Sequence, residues 1–110
     1  MAGDLTKEGL ALPTEHYESI IENVHIIMNC AASVDFNDPI KQAIQINYYG
    51  PVRMLEIAKR CRNLEVLTHV STAYVNCNLK GRISEEIYHP EEDVAEVVSN
   101  IMAMSDDEAK

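Results

Sequence analysis

The chain has 110 residues and a formal net charge of −9, so it holds one domain at most, or part of one. That charge argues against nucleic-acid binding, which needs basic patches to neutralise phosphates, and against docking on anionic lipid. An apolar fraction of 46% and a charged fraction of 25% are ordinary for a globular chain and leave disorder only for the acidic end.

Taken in chain order, a short polar start leads to Pro13-Thr14-Glu15, which reads as a helix entry. Tyr17, Ile20, Ile21 and Val24 follow at helical spacing. Val24 to Cys30 is a short apolar run, predicted as a buried parallel strand with Ala31-Ala32-Ser33 as its small-residue exit. Asp38 is predicted to cap the next helix, with Pro39 at its first helical position. That helix presents Ile40, Ala43, Ile44, Asn47, Met54, Leu55, Ala58 and Cys61 on one face. Gly50-Pro51 interrupts it, because Pro51 has no N–H to donate to the Asn47 carbonyl, and a kink or break is expected there.

Glu65 to Ser71 reads as the second buried strand, and the order strand, helix, strand implies a right-handed parallel crossover. Asn76 to Pro90 reads as a loop and Glu91 to Met104 as a last amphipathic helix. Residues 105–110 read as an acidic solvated tail. The fold class is therefore α/β, an incomplete Rossmann-like doubly wound parallel sheet. Two strands do not make a self-sufficient parallel sheet, so the 110 residues read as a middle slice of a larger domain.

The stretch from Glu65 to Asn76 carries the most chemistry. Its apolar run ends in Ser71 and Thr72, where the chain leaves the sheet. Open α/β sheets bind ligands outside the carboxyl ends of their strands, and a hydroxyl there can donate to a substrate carbonyl oxygen. The plain alternative is that Ser71 and Thr72 bond local backbone at a strand exit.

Together, Gly3-Asp4-Leu5, the run from Asn29 to Phe36 (Asn-Cys-Ala-Ala-Ser-Val-Asp-Phe), Asn47-Tyr48-Tyr49-Gly50 and the run from His69 to Asn76 (His-Val-Ser-Thr-Ala-Tyr-Val-Asn) resemble the fatty acyl-CoA reductases. These are the male-sterility branch of the extended short-chain dehydrogenases. The resemblance covers residue 3 to about residue 90. It implies a partial NAD(P)-binding Rossmann-like domain over 1–110, and NADPH-dependent reduction of long-chain fatty acyl-CoA to fatty alcohol. By position, Asp4 and Leu5 would hold the adenine ring, and Ala31, Ala32 and Ser33 would line the adenosine side. Asn47 matches the helix asparagine that supports a proton-relay water in related dehydrogenases. Thr72 matches the catalytic Ser/Thr, with Ser71 as the alternative register. In such a site the hydroxyl and a tyrosine phenol stabilise charge developing on the carbonyl oxygen.

Two parts of the family pattern do not occur in these residues: the glycine-rich turn for the pyrophosphate and a Tyr-x-x-x-Lys pair, since Tyr74 and Tyr88 are followed four residues later by Asn78 and Glu92. Pro51 stands where the resemblance leads one to expect threonine or a similar residue. The 110 residues alone are therefore expected to be inactive. His16, His25, His69 and His89 show no zinc-like spacing, and His69 reads as a hydrogen-bonded structural residue of its strand. Cys30, Cys61 and Cys77 read as small buried hydrophobes, and an odd set without a secretory signal points to a reducing, intracellular compartment. Family members sit on peroxisomal or endoplasmic-reticulum membranes. This chain is expected to be soluble, since no apolar run approaches the roughly 18 residues of a membrane span. Two other functions remain open: a thioester reductase domain acting on carrier-bound acyl groups, and a non-catalytic dehydrogenase-like module that associates with a full-length reductase.

Overall fold

The computed structural model describes residues 1–109. Two compact units divide the chain, Met1–Val70 and Ser71 onward.

The first unit opens with a closed loop. The Asp4 N–H donates to the Leu10 carbonyl at 2.8 Å, and the Lys7 N–H to the Asp4 carbonyl at 3.1 Å. A short 3-10 segment, Glu8–Ala11, follows, with left-handed backbone at Gly9, Leu10 and Ala11. Helix α1 (Thr14–Asn23) leads to strand β1 (Ile26–Asn29), helices α2 (Ile40–Asn47) and α3 (Tyr49–Arg60), and strand β2 (Val66–His69). The two strands pair in parallel, Ile26 with Val66 through Asn29 with His69, as the strand–helix–strand order requires.

Helix α3 packs against both strands and supplies the buried Ile57 and Ala58 against the inward Ile27. Strand side chains alternate between faces, and the opposite face stays open: Ile26 is 59% exposed, Met28 68% and Val66 48%. The expectation of two buried strands is corrected accordingly. Each run is apolar on both faces, as a two-sided parallel sheet demands, but only the α3 side is covered. Both strands are also shorter than their apolar runs.

The break expected near Gly50-Pro51 lies at Tyr48, between α2 and α3 (φ −107°, ψ −62°). The physical reason is the one expected: the fourth residue after Asn47 cannot donate, and the proline ring crowds that carbonyl. The α3 ladder restarts with the Val52 N–H donating to the Tyr48 carbonyl at 3.3 Å. The start of α2 differs from expectation. Pro39 is the cap residue itself, no side chain caps the helix, and the Asp38 carboxylate instead accepts from the Ser33 hydroxyl.

The second unit consists of turns over residues 73–79, irregular chain, and helix α4 (Val94–Ala103). The helix starts at Val94 and not at Glu91, because the Asp93 carboxylate accepts from the Ala95 and Glu96 N–H groups and fixes the cap there. Val98 is its buried residue. Ser105 and Glu108 bond to each other across one turn of the acidic tail; position 110 lies outside the described residues.

Gly50, at the start of α3, is buried against Leu5, and a Cβ there would lie 2.7 Å from a Leu5 methyl and 2.9 Å from its Cγ. Overpacking costs about 1–3 kcal/mol, against about 1 kcal/mol that alanine gains over glycine in a helix. Gly50→Ala should therefore destabilise the chain by about 1 kcal/mol in urea unfolding. In a Leu5→Ala background the same change should be neutral or stabilising.

Candidate cofactor-side site

The junction between α2 and α3 gathers three of the segments singled out in the sequence. At the end of α2, the Asn47 carboxamide makes two bonds to one residue. Its Oδ1 accepts from the Ser33 N–H at 2.8 Å, and its Nδ2 donates to the Ser33 carbonyl at 3.0 Å. An asparagine side chain carries an acceptor and a donor side by side, so it pairs with both backbone groups of Ser33 as a residue of a second strand would. The Ser33 hydroxyl is held in turn by Asp38.

Three residues further on, Gly50 abuts Leu5. One turn beyond, the Arg53 guanidinium donates to the Leu5 carbonyl at 3.1 Å and to the Gln45 carbonyl and side-chain oxygen at 3.2 and 3.0 Å. It also lies over the Tyr49 ring, 5.4 Å from the centroid. The Asn47–Arg53 stretch thus anchors the Asp4-Leu5 loop on one side and the Ala31-Ala32-Ser33 exit of β1 on the other.

Asp4 is exposed. Its Oδ1 accepts from the Thr6 hydroxyl at 2.7 Å and the Thr6 N–H at 2.9 Å. These bonds, the hydroxyl's first, hold the carboxyl below its ordinary value. Ala31 and Ala32 are exposed, with their methyls free for contact. Asn47 is also exposed, although both ends of its amide are engaged.

Ser71 and Thr72 belong to the second unit. Both are exposed, and the Thr72 Oγ1 accepts from the Tyr74 N–H at 3.2 Å. The local backbone bond considered for a strand exit is therefore present. A hydroxyl that accepts in this way still has its own proton to donate.

Two contributors were given no role of their own in the sequence. Asn29 is 4% exposed, donates toward His69 Nδ1 at 3.2 Å, and accepts from the Ala31 N–H at 3.3 Å. The signal available was its parity with Ile27, which puts a polar residue on the buried face of an apolar strand. Arg53 carried no sequence signal, since its partners are backbone groups remote along the chain. The cysteines also differ from expectation: Cys61 is half-buried, with burial pushing its thiol pKa up, whereas Cys30 and Cys77 are exposed. Each exposed one sits in a segment that leaves a strand or turns at the surface, where nothing covers it.

The model of the NAD-binding family described as male sterility protein matches residues 1–110. The chain belongs to this family. It is 41% identical over 103 residues to fatty acyl-CoA reductase 1 of Pongo abelii and 40% identical over 103 residues to that of Homo sapiens, in each case over 94% of this chain. It is 40% identical over 88 residues, 80% of this chain, to fatty acyl-CoA reductase wat of Drosophila melanogaster. The chain spans about a fifth (20%) of the length of the first two relatives. Among the described residues, no helix is long and apolar enough to cross a membrane.

Asn47→Ala removes two bonds of about 0.5–1.5 kcal/mol each. The Ser33 amide should then exchange with solvent roughly tenfold faster, read by hydrogen–deuterium exchange, with a smaller change at the β1 amides.

Thr6→Val removes the largest cause of the depressed Asp4 pKa, which should rise toward its ordinary value. A depressed carboxyl stabilises its loop above the ordinary value and loses that contribution as pH falls through the depressed one. The variant's loop should therefore loosen at higher pH than the parent's, as followed by carboxyl carbon-13 titration of Asp4.

Proposed function

We propose that these residues form the adenosine-side part of the cofactor domain of an NADPH-dependent fatty acyl-CoA reductase, within a Rossmann-like parallel sheet. The observation that carries this reading is the α2–α3 junction. It holds Asp4-Leu5 and Ala31–Ser33, the two segments that the family pattern assigns to the adenosine half, in a chain that belongs to that family.

The donor set suits such a group. Thr6 occupies only Oδ1 of Asp4, which leaves Oδ2 to accept from an exocyclic amine, with Leu5 beside it to pack against the ring. Ala31 and Ala32 present small exposed side chains to the sugar, where close approach to the backbone is needed. Ser33 is fixed by Asn47 and Asp38, so the turn is ordered in advance and little freedom is lost on binding. In this reading Asn47 orients the turn and stands at the position of the helix asparagine of the relay.

Thr72 is the proposed donor to the substrate carbonyl oxygen, with Ser71 as the neighbouring hydroxyl. A donor aimed at the oxygen where negative charge develops lowers the barrier more than it strengthens substrate binding. The bound nicotinamide cofactor supplies the hydride. The relatives' names favour coenzyme A thioesters over carrier-bound acyl groups as substrates. Three free thiols suit a reducing, intracellular compartment.

Without a glycine-rich turn or a Tyr-x-x-x-Lys pair, the 110 residues alone do not complete the reaction. Incubated with NADPH and a long-chain acyl-CoA, the purified chain should leave NADPH absorbance unchanged. Protein-dependent oxidation that survives repurification would contradict this.

The open apolar face of the sheet (Ile26, Met28, Val66) favours a second reading, association with an intact reductase. Size-exclusion chromatography of the chain mixed with a full-length family member should then show co-elution, and independent elution would remove that reading.

A further inference from the structure

We infer that the groove between helices α1 and α3 is a second binding site, which takes a small aliphatic monocarboxylate through Arg60 and Tyr17. The groove is separate from the adenosine-side residues: none of Asp4, Leu5, Ala31, Ala32 and Ser33 lines it. It lies wholly within the first unit.

The groove encloses about 530 Å³, inside the range of roughly 300–1,000 Å³ that small-molecule sites occupy. One wall is a stripe of α3, where Val52, Glu56 and Arg60 recur every fourth residue and Arg53 and Ile57 stand beside them. The opposite wall is Leu12 and the half-buried Tyr17 of α1. Ile57 is 3% exposed and forms the floor, with Leu12 and Val52 adding apolar surface beside it. An aliphatic body is thus what the walls suit.

Four charged side chains reach the groove: Glu8, Arg53, Glu56 and Arg60. Two are already engaged. Arg53 donates to the Leu5 and Gln45 oxygens, and Glu56 pairs with Lys59 at 3.0 Å. Arg60 donates from one terminal nitrogen to the Tyr17 hydroxyl oxygen at 3.2 Å, which leaves its other nitrogen donors for a ligand. A phenol that accepts a bond still has its own proton to donate. Arg60 and Tyr17 therefore offer adjacent donors, one of them charged, which is the complement of a carboxylate. Among the described residues Glu8 has no ion-pair partner. It opposes a second negative charge, so the groove favours a monoanion over a dianion.

The backbone at the groove's rim is strained. Gly9, Leu10 and Ala11 lie in the left-handed region, with φ of 56°, 58° and 50°. Leu10 and Ala11 hold that conformation against the clash of a Cβ, which glycine lacks. Such strain collects at binding sites, where the surrounding structure fixes a shape the chain would not otherwise keep. Here the strained turn sets Glu8 and Gly9 at the groove. A Cβ on Gly9 would lie 3.9 Å from the Tyr17 ring, so the missing side chain leaves the approach to that ring open.

The test is an NMR titration of the full chain, labelled with nitrogen-15 and carbon-13, against sodium hexanoate. Saturable shifts should appear at Leu12, Tyr17, Ile57 and Arg60, with half-saturation at about 1 mM or below. Hexanol, which keeps the aliphatic body and loses the charge, should bind about tenfold more weakly, and so should inorganic phosphate. Arg60→Gln should weaken hexanoate about tenfold, Tyr17→Phe a few-fold, and Glu8→Gln should tighten it a few-fold. Shifts at these residues that do not saturate, hexanol or phosphate binding as well as hexanoate, or an Arg60→Gln chain that binds like the parent overturns the inference. The parent chain's three titrations decide the matter even if a variant does not fold. None of these readouts involves NADPH, so the outcome is independent of the proposed function.

Discussion

The pairing of the Asn47 side chain with the backbone N–H and carbonyl of Ser33 is the constraint on which the first unit's surface depends. Ser33 lies beyond the last strand residue of β1, in chain with no ladder to order it. Backbone groups that leave a sheet need partners or water, and here a side chain at the end of α2 supplies both a donor and an acceptor. The bond couples where the helix ends to where the loop runs.

That coupling gives Pro51 a structural role. By denying a donor to the Asn47 carbonyl it places the helix break at Tyr48, so Asn47 is the last residue of α2 and not the middle of a long helix. Gly50, just beyond, has no side chain and lets Leu5 approach the start of α3, and Arg53 then holds the Leu5 carbonyl. Two segments more than twenty residues apart in sequence are thereby anchored on one short stretch of helix. Pro51 is thus accommodated by a kink that leaves the clamp in place.

Much of this was legible in the sequence because it rests on local rules. The apolar runs around Ile27 and Leu67 announced the strands, their order implied parallel pairing, and Pro51 announced a break. The roles expected of Asp4, Ala31, Ala32 and Asn47 came from resemblance, whereas Thr72 was marked first by its place at a strand exit. What was not legible depends on partners distant in sequence. Asp38 looked like a helix cap, yet its carboxylate meets Ser33; a cap residue and a loop anchor have the same chemistry, and only the fold decides between them. The strands' apolar faces read as buried because composition reports what a surface suits, whereas exposure depends on what covers it. Asp93 fell inside the helix read from Glu91 to Met104, whereas its carboxylate caps the helix that starts at Val94.

The central claim is that the α2–α3 junction sets residues 4–5 and 31–33 as one adenosine-binding surface. An NADPH titration of the nitrogen-15-labelled chain, followed residue by residue, tests it most directly. The account predicts amide shifts concentrated at Asp4, Leu5 and Ala31 to Ser33, largely lost when Asn47 is replaced by alanine. Shifts confined to other residues, or a response in the Asn47 variant equal to the parent's, would contradict it.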